Sequence, residues 1–195
     1  MNKVGIFGGA FSPVHKGHIA LAKAAYNELK LSEMLIIPTA QSPHKENSVP
    51  FSDRLELCNI AFKDTEGFAV SDIEKKLGGK SYTINTVRAL KEIYPKNTEF
   101  YLIIGGDMLF YFEHWYRYEA LLKECHVVAA ARENDSYADL YEYANELGRV
   151  KVLNLPVIEV SSSDIRDKIR KGEDIGDLVP TEVMEYITSR GLYRD

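Results

Sequence analysis

At 195 residues, with 45% apolar and 27% charged side chains, the chain is long enough for one sizeable core and short for two, so one domain over 1–195 is expected. A formal net charge of −5 argues against broad nucleic-acid binding. No apolar run approaches membrane-spanning length, the N-terminus enters a strand without a signal-peptide pattern, and the two cysteines, Cys58 and Cys125, lie in unrelated segments. They suit core packing in a reducing, cytoplasmic compartment.

Residues 3–7 (KVGIF) are short, apolar and β-prone, and residues 18–29 carry apolar side chains at helical spacing. Between them, GGAFSPVHKGH (8–18) reads as a strand-to-helix turn. Gly8 and Gly9 form a tight turn that a ligand can approach without meeting a Cβ, and a helix beginning near Gly17 offers its N–H groups and positive dipole end to an anion. His15 and His18, three apart, can project the same way.

A second strand is expected over 33–38 (EMLIIP), then a loop over 39–50 and a helix from about Asp53 capped by Ser52. A weaker strand over 68–71 precedes a helix over 84–94 that Pro95 ends. Residues 99–104 (EFYLII) form the unbroken apolar run of a parallel-sheet interior, closed by Gly105, Gly106 and Asp107. A strand over 126–131 leads to Arg132, followed by a helix over 137–147 and a strand region over 150–160. Residues 164–170 place Ile165 and Ile169 on one helical face, and a last helix, 181–189, follows Pro180 and stops at Gly191. This alternation predicts an α/β, Rossmann-like, doubly wound parallel sheet whose ligands gather at the carboxyl ends of its strands.

A Gly-Gly pair after a strand is by itself only a turn, and two histidines three apart could hold a metal. Cys58, Cys125, His44, His114 and His126 supply no third ligand at recognisable spacing, so no metal site is expected. Neither GxxxxGK[ST] nor GxGxxG is present. Histidines acting as phosphate ligands remain, because imidazole donates a hydrogen bond while neutral and offsets developing charge when protonated. A second signal is the serine run Ser161, Ser162 and Ser163, with Arg166 in the first turn of the helix that follows. Alone it reads as an N-cap; beside the histidine turn it adds hydroxyls and a guanidinium able to grip a triphosphate from the other side.

The HxGH turn His15-Lys16-Gly17-His18 and the late segment VSSSDIR (160–166) resemble those of the nucleotidyltransferase superfamily. More narrowly, SPHK (42–45), SYTINT (81–86), IIGGDMLFYFEHWY (103–116), AAR (130–132) and LVPTEVMEYITSRGLY (178–193) make nearly the whole chain similar to bacterial nicotinate mononucleotide adenylyltransferases. The resemblance implies adenylyl transfer from ATP, with Mg²⁺, to nicotinate mononucleotide, giving nicotinate adenine dinucleotide and pyrophosphate in NAD biosynthesis. It implies catalytic roles for His15, His18 and Arg166, and ATP contacts from Gly8, Gly9, Ala10, Phe11, Gly105, Asp107, Ser161, Ser162 and Ser163. For the mononucleotide it implies Ser12, His44, Lys45, Thr83, Trp115, Tyr116 and Arg132. Trp115 would stack on the pyridine ring, and the ring carboxylate would accept hydrogen bonds from N–H groups near Thr83 and Tyr116. Against these roles stand plain packing for Trp115, a helix N-cap for Asp107, and solvent exposure for Lys45 and Lys16.

Four positions depart from the family pattern: Ala10 and Ser12 stand in GGAFSP where GGTFDP is common, Ser163 replaces threonine, and Asn85 replaces aspartate. Rival readings are an adenylyltransferase preferring nicotinamide mononucleotide or another phosphate acceptor, and a nucleotide-binding sensor without turnover. The Tyr82-Thr83 and Trp115-Tyr116 segments argue against a phosphopantetheine acceptor. A homo-oligomer is left open.

Overall fold

Apolar strands whose backbone groups cannot stay unpaired in a core join here into one parallel sheet. A computed structural model describes residues 2–43, 49–131, 136–155 and 160–195. Its strands are β1 (Lys3–Gly9), β2 (Glu33–Pro38), β3 (Phe68–Val70), β4 (Glu99–Gly105), β5 (His126–Ala131) and β6 (Val150–Asn154), in the order β3-β2-β1-β4-β5-β6. Every pairing is parallel. The helices are α1 (Lys16–Leu29), α2 (Phe51–Phe62), α3 (Ile73–Leu77), α4 (Thr83–Ile93), α5 (Gly106–Leu109), α6 (Tyr118–Glu124), α7 (Tyr137–Leu147), α8 (Ser162–Lys171) and α9 (Thr181–Arg190), with a 3₁₀ turn at Phe112–His114.

Strand side chains alternate between two buried layers, as a pleated backbone requires. Val4, Ile6, Leu102, Ile104, Val127 and Ala129 pack with α4, α6 and α7, while Phe7, Ile103 and Val128 pack with α1, α2, α8 and α9. Burying each such Leu, Ile or Val stabilises the fold by about 1.5–3 kcal/mol. Helices on both faces make this the Rossmann-like doubly wound sheet that the strand–helix alternation predicts.

The strand order reverses between β1 and β4, which places a crevice at their carboxyl ends. Register sharpens it: β1 pairs with β2 as far as Gly9 opposite Pro38, but with β4 only as far as Phe7 opposite Ile103. Gly8 and Gly9 are thus strand residues with one edge turned to the crevice, not the tight turn expected of them. The turn begins at Ala10.

Other boundaries differ for local reasons. Helix α2 starts at Phe51 with Pro50 at its N-cap, so Ser52 lies inside the first turn and caps nothing. Helix α8 begins at Ser162 because Ser161, not a later residue, is the cap. Strand β3 ends at Val70 and β6 at Asn154; of the strand region expected beyond Asn154, residues 156–159 lie outside the described residues. Helix α3 and the α5–α6 stretch were not legible as helices: they are short, and aromatic clustering in 110–118 hides any 3.6-residue period. Among the described residues no helix is long and apolar enough to cross a membrane.

Candidate active site

The chain leaves β1 at Gly9 and turns back into α1 through His15, whose extended backbone (φ −146°, ψ 171°) makes it the N-cap. Its Nδ1 accepts the His18 backbone N–H at 3.3 Å, as an N-cap acceptor does, and so fixes the imidazole. One turn later the His18 ring lies against it, centroids 3.6 Å apart and planes 27° from parallel. Phe11 packs against the His18 ring. It adopts φ +46°, a left-handed conformation that L residues other than Asn and Asp seldom take, at a cost of order 1 kcal/mol or more. This turns its ring edge-on to His18 at 5.0 Å and to Phe7 at 5.5 Å.

Two guanidinium groups brace this turn. Arg54 of α2, 1% exposed, donates to the Ala10 carbonyl at 2.8 Å and to the Val49 carbonyl at 3.3 Å. Burial holds its pKa below the usual arginine range. From the far strand end, Arg166 donates to the Ser12 carbonyl at 2.7 Å and to Ser163 Oγ at 3.0 Å. Ser162 Oγ donates to the Pro13 carbonyl at 2.9 Å. Ser161 is the N-cap of α8, accepting the Asp164 N–H at 3.0 Å and donating to Asp164 Oδ2 at 2.7 Å. The serine turn and the histidine turn therefore meet, as their positions after two strands suggest, and the cap reading of the serine run also holds, for Ser161.

Ser12 is buried, and its hydroxyl donates to the Tyr193 hydroxyl at 3.4 Å; burial pushes that phenol up to about 12. Lys16 is half-buried rather than simply solvent-exposed: its Nζ donates to the Gly176 carbonyl at 3.1 Å.

The other side of the crevice is a cavity of about 340 Å³. Its floor is Ile6, Ile37, Leu102 and Ile104, and Gly8, Gly9 and Gly105 form its edge toward the histidines. Tyr82, Thr83, Met108, Trp115 and Tyr116 rise around it, with the Tyr82 and Tyr116 rings 4.5 Å apart. A Cβ at Gly8 would meet nothing nearer than the Ile37 carbonyl at 3.9 Å, so the fold leaves that space open to the cavity. Trp115 is half-buried against Phe112 at 5.3 Å; it both packs and lines the cavity. Asp107 is an exposed residue in the first turn of α5, whose N-cap is Gly105. Asn85 is exposed on α4. His44, Lys45 and Arg132 lie outside the described residues. Among the described residues, no group of three His, Cys, Asp or Glu is placed to hold a metal.

Two glycine-edged strand ends at a topological switch point, with stacked imidazoles on one side and a ring-sized aromatic cavity on the other, suit a ligand carrying phosphates and a flat ring. The sequence profile of the cytidylyltransferase-like family matches residues 6–168. The chain belongs to this family of nucleotidyltransferases. Among relatives of this nucleotidyltransferase, a protein of Lachnoclostridium phytofermentans is 36% identical over 200 residues, covering 99% of this chain and 100% of the relative. One of Exiguobacterium sibiricum is 38% identical over 192 residues, covering 98% of each. Both carry the name "Probable nicotinate-nucleotide adenylyltransferase". The Plasmodium falciparum nicotinic acid mononucleotide adenylyltransferase complexed with NaAD shares the fold with a TM-score of 0.84 at 20% identity, over 99% of this chain and 98% of that one.

Sequence reasoning passed over three residues of the nucleotidyltransferase site. Arg54 and Tyr193 brace the histidine turn from distant segments, and Glu74, a buried carboxylate, lines the cavity. Arg54 sits among apolar residues in the α2 pattern, which is the one signal that it is buried.

Proposed function

We propose that this nucleotidyltransferase transfers the adenylyl group of ATP to nicotinate mononucleotide, forming nicotinate adenine dinucleotide and pyrophosphate in NAD biosynthesis. The observation that carries the reading is the pairing of stacked imidazoles with a Trp115-lined cavity across one crevice, in a chain with full-length relatives bearing that name. A phosphate oxygen of the mononucleotide attacks the α-phosphorus of ATP; the bond to the bridging α–β oxygen breaks, and pyrophosphate leaves with the electron pair. No protein nucleophile takes part, so rate comes from alignment and from charge stabilisation.

His18 stands nearest the transferring phosphoryl group in this reading, with His15 beside it as a donor to the phosphates. Arg166 and the turn of Ser161, Ser162 and Ser163 take the β,γ side, and Gly8, Gly9, Ala10, Phe11, Gly105 and Asp107 line the ATP path. Mg²⁺ would enter as part of the MgATP substrate and would offset charge on its phosphates. The pyridine ring stacks on Trp115, and its carboxylate accepts from main-chain N–H groups near Thr83 and Tyr116, donors that an amide NH₂ group would face without an acceptor. Ser12, His44, Lys45 and Arg132 complete the mononucleotide side.

The test is pyrophosphate release from MgATP with nicotinate mononucleotide and, in parallel, nicotinamide mononucleotide. Preference for the acid supports the reading. Equal or reversed preference overturns the ring-carboxylate assignment, and no release with either overturns the reaction.

A further inference from the structure

The cavity contains one buried charge that the reaction above does not use. Glu74, the second residue of α3, is 8% exposed and lines the cavity wall. Its Oε2 accepts the Ala40 backbone N–H at 3.1 Å, and its Oε1 accepts the Thr86 hydroxyl at 3.3 Å. The Ser81 hydroxyl also hydrogen-bonds to this carboxylate. Burial pushes its pKa up, and the three donors and the nearby Arg54 charge pull it back.

These partners come from three separate segments at the cavity wall. Ala40 follows β2, Ser81 ends the connector from α3, and Thr86 lies three residues beyond Thr83 in the first turn of α4. The first two segments are further clasped to each other. Ser81 N–H donates to the Gln41 carbonyl at 2.8 Å, and Gln41 N–H donates to Ser81 Oγ at 3.0 Å. The connector between α3 and Ser81 runs through Gly78 and Gly79, at φ +69° and +65°, and a Cβ at either would meet nothing within 4 Å. It has little packing of its own, so the placement of Ser81, and with it the start of α4, depends on the polar clasp.

The donor chemistry calls for an acceptor-only group. A backbone N–H can only donate, and a carboxylate with two oxygens takes one N–H and two hydroxyls together. Buried donors left without an acceptor would pull toward other partners. The start of α4 would then move, and it is this helix start that presents N–H groups to an anion.

We propose that Glu74 is the positioning residue of the ring cavity: by holding Ala40, Ser81 and Thr86 on one carboxylate, it fixes the N–H groups at the start of α4 and so sets the preference for an acid over an amide on the ligand ring. This rests on the mononucleotide reading given under Proposed function. It assigns Glu74 no contact with the reacting atoms.

The test compares wild type, Glu74→Ala and Glu74→Gln in MgATP-dependent pyrophosphate release, with KM and kcat for nicotinate and nicotinamide mononucleotides, KM for ATP and a thermal melt. Glu74→Ala is expected to lower the acid-over-amide ratio of kcat/KM by about tenfold, the size of one misplaced hydrogen bond, with KM for ATP unchanged. Glu74→Gln keeps an oxygen for Ala40 and an amide that the two hydroxyls can turn to meet, so it is expected to stay within about threefold of the wild-type ratio. Should Glu74→Ala not fold, Ser81→Ala and Thr86→Val each remove one donor and are expected to lower the ratio in the same direction. A ratio unchanged in every folded variant overturns the inference, as does a rise in KM for ATP that matches the rise for the mononucleotide. A wild type without acid preference overturns the reading beneath it instead, which separates the two failures.

Discussion

On the histidine side of the crevice, most of the groups offered to a phosphate come from one short run, 8–18, and one other turn, Ser161 to Arg166, both braces that run and adds to it. On the ring side, the wall draws on β1, β2, β4, α3, α4 and the Trp115 stretch, none contributing more than a few residues. The first side is polar and backbone-rich. It is held by buried or half-buried guanidinium groups on main-chain carbonyls: Arg54 on Ala10 and Arg166 on Ser12. The second is apolar and aromatic, with Glu74 as its buried carboxylate. The contrast separates two tasks that one local motif cannot perform together: stabilising charge, which needs donors fixed on rigid backbone, and recognising a ring, which needs surfaces gathered from across the fold.

Breaking the histidine side should have the largest effect. His18→Ala is expected to lower kcat by about 10³, the scale of losing a principal donor to developing charge, with little change in KM for the mononucleotide. The fold should survive, because the bond that caps α1 uses the His18 backbone N–H and the His15 ring. Steady-state kinetics with a melting curve checks both; an equal loss in KM for both substrates would erase the division of labour.

Breaking the ring side should move binding instead. Trp115→Ala is expected to raise KM for the mononucleotide by about 10–100-fold and to spare KM for ATP, as loss of a stacking surface does. Equal losses for both substrates would mean that Trp115 only packs. A smaller change sits at the boundary of the two sides. Gly8→Ala places a methyl group in space that the fold leaves empty, between the ATP path and the ring cavity, so it should leave the melting temperature unchanged and raise KM for ATP and for the mononucleotide by about tenfold. A drop in melting temperature with unchanged KM would show that the open space at Gly8 serves the fold and not a ligand.

The smallest effect concerns the bracing of the histidine side and leaves activity at neutral pH alone. Burial raises the Tyr193 phenol from 10.0 to about 12, so the folded chain keeps its proton where the unfolded chain loses it. A raised pKa stabilises below the unfolded value and is lost as pH climbs through the folded one. From pH 10 to 12, wild type should therefore lose about 2 kcal/mol more stability than Tyr193→Phe. Urea unfolding across that range measures the difference; parallel curves would show that the other tyrosines account for the alkaline limb.

The contrast also explains what could be read from the sequence. The alternation of apolar strands and helices was legible because each strand is a short apolar run bounded by turn residues, and β2, β5 and α7 fall on the expected residues. The histidine turn was legible because its chemistry is local: spacing alone brings His15 and His18 together, and the stacked rings bear that out. The cavity was legible only at Thr83, Trp115 and Tyr116, through resemblance. Glu74 was hidden because it lies in the five-residue helix α3, in a charged stretch that reads as solvated surface. Its burial arises only when β2 and α4 close around it, a tertiary event that no local pattern announces. Arg54, Lys16 and Tyr193 were missed for the same reason, since each acts on a carbonyl or hydroxyl far away in the chain.

Trp115 is the only tryptophan in the chain, so its fluorescence reports on the ring cavity alone. Titrating the protein separately with nicotinate mononucleotide and with ATP, and following that emission, tests the division of the crevice most directly. Saturable quenching by the mononucleotide with little response to ATP is the result expected of a ring-binding cavity set apart from a phosphate-binding turn. Quenching by ATP with none from the mononucleotide would contradict it and place the adenine, not the pyridine, against Trp115.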